Sequence, residues 1–242
     1  MIPTRRDLAL GLVLLAATAP AARAARPARA QQGYSRDAQR VLAQARAATG
    51  GSGWNYLRGW HETGAENGAP YQAWLDPLRY GLRVEARGPA GLDVHGFNGG
   101  GAWRIAPGQA PTGTGDPGPV AQARSETFFR ICGFFYPGRF DAQGVHAGVR
   151  TLGRLSFDVL TVKPWGGVAR DLWFDRRTRL LSRMVDRSGP RPIVTQLDDY
   201  RRVGPVHVAF HTATDGDALH DRHLQTLAFP PADRAMFSLP RA

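Results

Sequence analysis

The sequence has one cysteine, Cys132, and one lysine, Lys163, among its 242 residues. A single cysteine excludes an internal disulfide, so stability must come from a hydrophobic core. Arginine carries nearly all of the positive charge and is scattered, with no basic run of five and no nucleic-acid-binding motif, which excludes nucleic acid as a partner. After residue 30 no apolar stretch approaches the roughly 20 residues of a transmembrane helix.

The first thirty residues have the pattern of an export signal. A basic start is followed by an apolar run from Leu8 that is too short to anchor a membrane. Ala28-Arg-Ala30 fits a cleavage site, and Ala22-Arg-Ala24 is a second candidate. The pair Arg5-Arg6 favours twin-arginine export, with an ordinary secretory signal as the alternative. These residues carry five arginines and one aspartate, so +7 of the net charge of +11 lies beyond them. We expect a signal peptide over 1–30 and one soluble periplasmic domain over 31–242.

Apolar periodicity predicts a mainly β domain with two helices. The first helix covers residues 35–49, with Ser35 as its cap, and the second covers about 120–132, after a loop over 107–119. No βαβ rhythm is present, and regular strand and turn spacing favours an antiparallel sheet or barrel. Alternation of apolar and polar residues predicts strands at 71–75, 82–86, 92–97, 102–105, 148–155, 157–162, 169–174, 180–186, 193–200, 206–212 and 222–229.

A glycine-rich stretch, HGFNGGGAWRI over residues 95–105, could cradle a phosphate or turn a hairpin. A phosphate loop needs a lysine and a serine or threonine opening a helix after the glycines, and here a strand pattern follows. Asn98-Gly99 is instead a strong hairpin signal, because both positions tolerate positive φ. Any function of this stretch would therefore lie in Phe97 and Trp103, on either side of the turn.

Several phrases occur in an order that resembles a family of bacterial periplasmic proteins. They are Trp74-Leu-Asp-Pro-Leu-Arg-Tyr80, Gly96-Phe-Asn-Gly99, Leu172-Trp-Phe-Asp-Arg-Arg-Thr-Arg-Leu-Leu-Ser-Arg183, Asp199-Tyr-Arg-Arg-Val-Gly204 and Phe229-Pro-Pro-Ala-Asp-Arg-Ala-Met-Phe237. The chain resembles the LolA-like and LolB-like lipoprotein carrier superfamily. It looks most like the outer-membrane lipoprotein-sorting-like domain found ahead of exported pepsin-type proteases. The resemblance covers about residues 36–238.

The resemblance implies an α+β fold, an unclosed antiparallel β-barrel with helices packed in or over its concave face. In carriers of this type that face is apolar and holds acyl chains. The sequence stops where the protease domain would begin and has no Asp-Thr-Gly or Asp-Ser-Gly. Protease chemistry is therefore not carried over, and such motifs specify fold rather than activity.

The predicted ligand-binding residues are aromatic and aliphatic side chains of the strands and the second helix. They are Trp74, Val84, Phe97, Trp103, Phe128, Phe129, Phe157, Trp173 and Met184. Their orientation depends on strand register, because a slip of one residue reverses a whole face. We predict no catalytic residues, no metal site and no cofactor.

The seven histidines and the cysteine have structural interpretations that we favour over chemical ones. His207 and His211 alternate with apolar residues, so they are predicted on the solvent face of a strand about 13 Å apart. His220 and His223 are predicted at a polar hairpin tip, with a metal site as the alternative. Cys132 lies among aromatics and is predicted to be a buried apolar residue, not a nucleophile.

The sequence therefore predicts a non-catalytic periplasmic carrier for a hydrophobic ligand, such as a lipid or a lipoprotein acyl chain. Transient contact with a membrane or an envelope protein would accompany that function. One alternative is a structural or interaction module of the cell envelope with a filled core. A further alternative is an exported hydrolase that uses a His/Asp set near residues 211–223.

Overall fold

A computed structural model describes residues 33–215 and 220–240, and within these ranges fourteen strands form one sheet. The predicted signal peptide lies outside the described residues. The helices are α1 (Arg36–Ala48) and α2 (Pro117–Arg130), with short 3-10 helices at Gly51–Tyr56, Gly133–Phe135 and Arg234–Phe237. The strands are β1 (Gly33–Tyr34), β2 (Trp60–Glu66), β3 (Ala69–Asp76), β4 (Gly81–Gly88), β5 (Gly91–Asn98), β6 (Ala102–Ile105), β7 (Thr112–Thr114), β8 (Ala142–Leu152), β9 (Leu155–Pro164), β10 (Arg170–Asp175), β11 (Leu181–Asp186), β12 (Ile193–Val203), β13 (Val206–Thr214) and β14 (His220–Ala228).

The sheet runs in the order β1-β8-β9-β10-β11-β12-β13-β14-β2-β3-β4-β5-β6-β7. Every neighbouring pair is antiparallel except β1 and β8, which are parallel. The terminal strands β1 and β7 do not pair with each other, so the barrel is unclosed. This confirms the predicted fold class: a mainly β, unclosed antiparallel barrel with helices on its concave face.

Both predicted helices are present, with shifted ends. The Ser35 side chain accepts a hydrogen bond from the Ala38 N–H and starts α1, whose buried face includes Val41 and Leu42. The second helix begins at Pro117, earlier than predicted, because a proline fits the first helical turn. The predicted loop over 107–119 therefore contains β7 and the start of α2.

The core lies between the concave face of the sheet and the aromatic segment that ends α2. Phe128 and Phe134 are fully buried there, against strand residues such as Phe97 and Leu172. Tyr80 packs across the Phe97 and Phe128 rings, with centroid distances of 6.4 Å to each. Burying several aromatic rings is a large stabilising contribution, since each removes about 150–250 Å² from water.

The stretch over 95–105 forms the β5–β6 hairpin, as predicted. The Asn98 side chain accepts hydrogen bonds from the N–H groups of Gly100 and Gly101, at 3.0 and 2.8 Å. Gly99 has a φ of +92°, which favours glycine. The Arg124 guanidinium of α2 donates to the Gly99 carbonyl at 2.7 Å, so this turn anchors the helix over the sheet.

Candidate functional site

A cavity of about 110 Å³ lies inside the half-barrel, between the end of α2 and strands β11–β14 and β2. This is the volume of three or four water molecules, well below the roughly 300 Å³ at which small-molecule sites begin. The helices therefore fill most of the concave face and leave a narrow space. Its apolar lining includes Trp54, Trp60, Phe129, Phe134, Phe174, Leu181, Met184, Leu197, Val208 and Leu224.

Aromatic contacts fix the wall of this cavity on the helical side. The Phe134 ring packs against Phe135 at a centroid distance of 4.7 Å and against Phe174 of β10 at 6.2 Å. Trp54 packs on Phe135 at 5.1 Å and donates from Nε1 to Thr49 at 3.1 Å. The short helix after α2 is thus held to both α1 and the sheet.

One side of the cavity carries a buried charge, the carboxylate of Glu62 on β2, which is 4% exposed. It accepts hydrogen bonds from Trp60 Nε1 at 2.7 Å, from Arg130 Nη2 at 3.2 Å and from the Tyr71 hydroxyl. Arg130 of α2 also donates to Glu126 one turn earlier, at 3.1 Å. A buried carboxylate is tolerated only with such partners, so this cluster joins α2 to the sheet.

The electrostatics of the cluster keep its groups ionised. Burial by itself raises the pKa of Glu62, but the cationic Arg130 and Arg222 and the hydrogen bonds lower it, and the net pKa lies below its usual value. The pKa of Glu126 is likewise lowered against its burial, by His95 and by Arg130. The Arg130 pKa is raised by its acidic neighbours despite burial. Alternating charges therefore line this part of the concave face.

A polar pocket of about 310 Å³ adjoins the cavity and shares several of its walls. The two spaces have Arg130, Met184, Thr195, Thr212 and Arg222 in common. Beyond these the pocket is lined by charged side chains, which include Glu66, Glu126, Arg170, Asp186 and His220. The cavity thus has an apolar end and leads toward a charged end.

A groove of about 530 Å³ lies on another side, between α1 and the segment after α2. The rings of Phe134 and Phe135 line both the groove and the cavity. The groove is otherwise bounded by Tyr34, Leu42, Arg46 and Pro137. Two phenylalanine side chains therefore form a shared wall between these spaces.

Cys132 lines the cavity at the residue after the C-cap of α2. It adopts a left-handed conformation with a φ of +52°, unusual for a residue other than glycine. Burial raises the pKa of its thiol to about 12. A thiol with so high a pKa is a poor nucleophile, in keeping with the interpretation of Cys132 as an apolar residue.

Five of the nine predicted ligand-binding residues belong to the core on the concave side. Phe129 and Met184 line the cavity itself, and Arg170 lies over the Phe129 ring at 4.9 Å. Val84, Phe97 and Phe128 are packed deeper and do not line the cavity. The structure therefore brings only two of the nine predicted residues to this space.

The other four predicted residues lie on the convex face, so the prediction that their side chains face the cavity was wrong. They are Trp74, Trp103, Phe157 and Trp173. Trp74 stacks on His61 at 4.7 Å, whereas its neighbours Ala73 and Leu75 enter the core. Trp173 packs on Phe157 at 5.7 Å, again outside that core.

Trp103 is on the convex face because the hairpin register pairs it with Gly96, while Ala102 pairs with Phe97. Its ring occupies the space where a β-carbon of residue 96 would lie, which explains the glycine there. The indole Nε1 donates to the Phe237 carbonyl at 2.8 Å. Trp103 thus holds the C-terminal segment on the outside of the sheet.

The residues that sequence reasoning missed are the charged ones of the concave face, Glu62, Arg130 and Arg222. β2 itself was not predicted, because His61-Glu-Thr-Gly-Ala-Glu66 looks polar. In the structure the residues of β2 alternate between buried and half-buried, and Glu62 takes one of the buried positions. A charged residue does not signal burial in the sequence, so the alternation was missed. A search for period-2 alternation that accepts a charged residue at a buried position would have identified this strand.

The histidines of β13 and β14 are also placed by the structure. Val206, Val208 and Phe210 are buried and His207 and His211 are not, as the alternation predicted. His220 begins β14 and pairs with Thr214 in the last pair of the β13–β14 hairpin, and His223 lies three residues further along the strand. Both ring nitrogens of His211 are hydrogen-bonded to carboxylates, Nδ1 to Asp198 and Nε2 to Asp221, at 2.7 Å each.

No family model matches the chain, and no curated protein matches it. Among solved structures, it is similar to a LolA superfamily protein from Nitrosomonas europaea, with a TM-score of 0.56 and 11% identity over 83% of this chain and 96% of that one. It is also similar to a DUF1329 family protein from Desulfovibrio piger, with a TM-score of 0.55 and 9% identity over the same two shares. The chain therefore has a LolA-like fold.

Within the described ranges, no helix combines the length and the apolar character that a membrane span requires.

Proposed function

We propose that this protein is an exported, periplasmic, non-catalytic carrier that binds an amphiphile with an acyl chain, either a lipid or the lipid part of a lipoprotein. The observation that carries the proposal is the cavity under α2, apolar at one end and continuous with charged side chains at the other. Burial of the chain would provide the affinity, at about 25 cal/mol per Å² before ordering costs.

The volume of the cavity defines how binding would proceed. A space of about 110 Å³ holds only a few methylene groups, whereas the groove beyond Phe134 and Phe135 adds about 530 Å³. Rotation of these two rings would join the spaces into one of ordinary ligand-binding size. The ligand would thus bind to a minor conformation in which the segment after α2 is open. The apparent affinity is then the intrinsic affinity multiplied by the fraction of molecules in that open conformation.

The polar end of the site supports an amphiphile over a plain hydrocarbon. Arg222 lies where cavity and polar pocket meet, and its Nε is buried without a hydrogen-bond partner. Arg170 lines the same pocket, with its Nε 3.5 Å from Asp186 Oδ2. A carboxylate or phosphate of a headgroup would satisfy the Arg222 donor. Removal of the Arg222 charge should therefore weaken binding of an anionic amphiphile more than binding of a neutral one.

The experiment compares two tryptophan substitutions, Leu197→Trp in the cavity wall and Leu155→Trp at an exposed position. Binding of a fluorescent fatty acid is measured by titration, and folding is checked by circular dichroism. We expect the wild type and Leu155→Trp to bind alike and Leu197→Trp to bind at least tenfold more weakly. Equal binding by all three proteins would contradict the proposal that the ligand binds in the cavity.

A second candidate is a structural or interaction module of the envelope, and the nearly filled concave face favours it. Phe128, Phe134 and their neighbours occupy most of the space that a ligand would need. On this alternative the wild type binds no acyl probe at all, and the segment after α2 never opens. Hydrogen exchange of the Phe134 and Phe135 amides, with and without the probe, separates the two candidates.

A further inference from the structure

Four chemistry-bearing side chains meet on three neighbouring strands at the convex face, away from the cavity. Asp198 of β12 is directly opposite His211 of β13, and His211 is directly opposite His223 of β14. Asp221 lies two residues before His223, so both point to the same side of β14. Each position is fixed by sheet register, which makes the arrangement a consequence of the fold.

The polar atoms of these side chains converge. His211 Nε2 is 2.7 Å from Asp221 Oδ1, and His223 Nε2 is 3.3 Å from the same oxygen. One ligand atom from each of His211, Asp221 and His223 lies within 4.8 Å of the other two. On the other side of the imidazole, His211 Nδ1 is 2.7 Å from Asp198 Oδ1.

We propose that His211, Asp221 and His223 bind a divalent transition-metal ion of the zinc class. Two imidazoles and a carboxylate suit Zn²⁺, Cu²⁺ or Ni²⁺ better than Ca²⁺ or Mg²⁺, which prefer oxygen ligands. Metal–ligand bonds of about 2.0–2.2 Å in a tetrahedron place ligand atoms about 3.3 Å apart, which matches the 3.3 Å between His223 and Asp221. The 2.7 Å between His211 and Asp221 is that of a direct hydrogen bond, so these two side chains must separate slightly to admit an ion. Three protein ligands leave the fourth position to water.

Asp198 gives this group the partner that metal-binding histidines usually have. A hydrogen bond from the His211 Nδ1–H to Asp198 would orient the imidazole, while an ion would displace the Nε2 proton that is hydrogen-bonded to Asp221. Carboxylates that orient a ligating imidazole in this way contribute about 10- to 100-fold to metal affinity. Asp198 is therefore a positioning residue and not a ligand.

The side chains must move for binding. The His211 and His223 rings stack at 4.3 Å and are tilted by only 12°, so their planes are nearly parallel and no single ion lies in both planes. The His223 side chain is 60% exposed and free to tilt toward a shared ion. Three other histidines each pair with a single acid: His95 with Glu126 at 3.5 Å, His146 with Asp158 at 3.2 Å and His220 with Glu66 at 2.9 Å. Among the described residues, convergence of three ligands occurs at this one place.

The test is calorimetric titration of the purified protein with Zn²⁺ at pH 7.5 and again at higher pH, because metal binding releases protons from its ligands. We expect one equivalent to bind, with at least tenfold weaker affinity in His211→Ala and in His223→Ala. His220→Ala, in the same strand but paired with Glu66, should keep the wild-type affinity. Circular dichroism confirms that each variant is folded. If His211→Ala is unstable, His223→Ala still tests the site, because His223 is largely exposed and its replacement should leave the protein folded.

Asp198→Asn distinguishes a positioning residue from a ligand. We expect a 10- to 100-fold loss of affinity with an unchanged visible spectrum of the Co²⁺-loaded protein, since the ligand set is retained. Asp221→Asn should change that spectrum. Absence of Zn²⁺ binding would overturn the proposal, as would unchanged affinity in His211→Ala and His223→Ala, or equal weakening by His220→Ala. Because the site is outside the cavity, these outcomes do not depend on whether an amphiphile binds.

Discussion

Replacement of Glu62 by glutamine should destabilise the protein far more than loss of an ordinary ion pair. The substitution preserves volume but removes a buried negative charge that Trp60, Tyr71 and Arg130 all donate to. The Arg130 side chain is 13% exposed and, among the described residues, would keep Glu126 as its ion-pair partner. Breaking one half of a buried pair typically costs about 3–5 kcal/mol.

This magnitude translates into a large thermal effect. For a chain of 150–250 residues, each kcal/mol shifts Tm by about 2–4 °C, so Glu62→Gln should lower Tm by roughly 6–20 °C. Urea unfolding at pH 7 measures the free energy of unfolding directly. Asp37→Asn is the matched control, because Asp37 pairs with Arg40 at 3.1 Å with both side chains more than half exposed. Its expected cost is at most about 1 kcal/mol.

A double-mutant cycle separates the ion pair from simple loss of packing. Arg130→Met leaves Glu62 buried with one cation fewer, so each single variant carries an uncompensated charge. The double variant should cost clearly less than the sum of the two single variants. A cost below about 1 kcal/mol for Glu62→Gln, or strict additivity in the cycle, would refute the interpretation of this cluster as a coupled buried network.

Three further outcomes are expected. Gly96→Ala should cost about 1–3 kcal/mol in urea unfolding because an indole ring occupies the space of the new methyl group, whereas Gly88→Ala, which meets open space, should change stability little. Native Cys132 should react with iodoacetamide at pH 8 at least about a hundredfold more slowly than in urea, since burial raises its pKa to about 12; comparable rates would contradict this. The lowered pKa values of Glu62 and Glu126 add stability above about pH 4.3, the unfolded value, and that stability is lost as pH falls through the folded values. The Tm difference between wild type and Glu62→Gln should therefore narrow from pH 7 to pH 3, and a constant difference would speak against a charged Glu62.

The sequence motifs predicted the fold well because they mark turns, where chemistry is local. Asp175, in the phrase that begins at Leu172, accepts hydrogen bonds from the N–H groups of Arg177 and Thr178 and so shapes the β10–β11 hairpin. Asp76 likewise accepts a hydrogen bond from the Leu78 N–H in the turn between β3 and β4. Such contacts join residues two or three positions apart, so they can be predicted from the sequence alone.

The cavity was predicted poorly because its residues depend on register and on distant partners. Trp103 was nominated as a ligand contact, yet its pairing with Gly96 turns it outward, and the turn at Asn98 decides that pairing. Glu62 and Arg130 come together from positions 68 residues apart, and neither carries a local signal of burial. Period-2 patterns identify strands, but they do not identify which face is concave.

The central claim, that an acyl-chain amphiphile occupies the space under α2, is tested most directly by native mass spectrometry of protein purified from the periplasm under gentle conditions, followed by organic extraction. We predict a bound species in the mass range of a lipid, released on unfolding, present in the wild type and in Leu155→Trp and depleted in Leu197→Trp. Ligand-free protein in every preparation, with no uptake of added fatty acid or lipopeptide, would contradict the account.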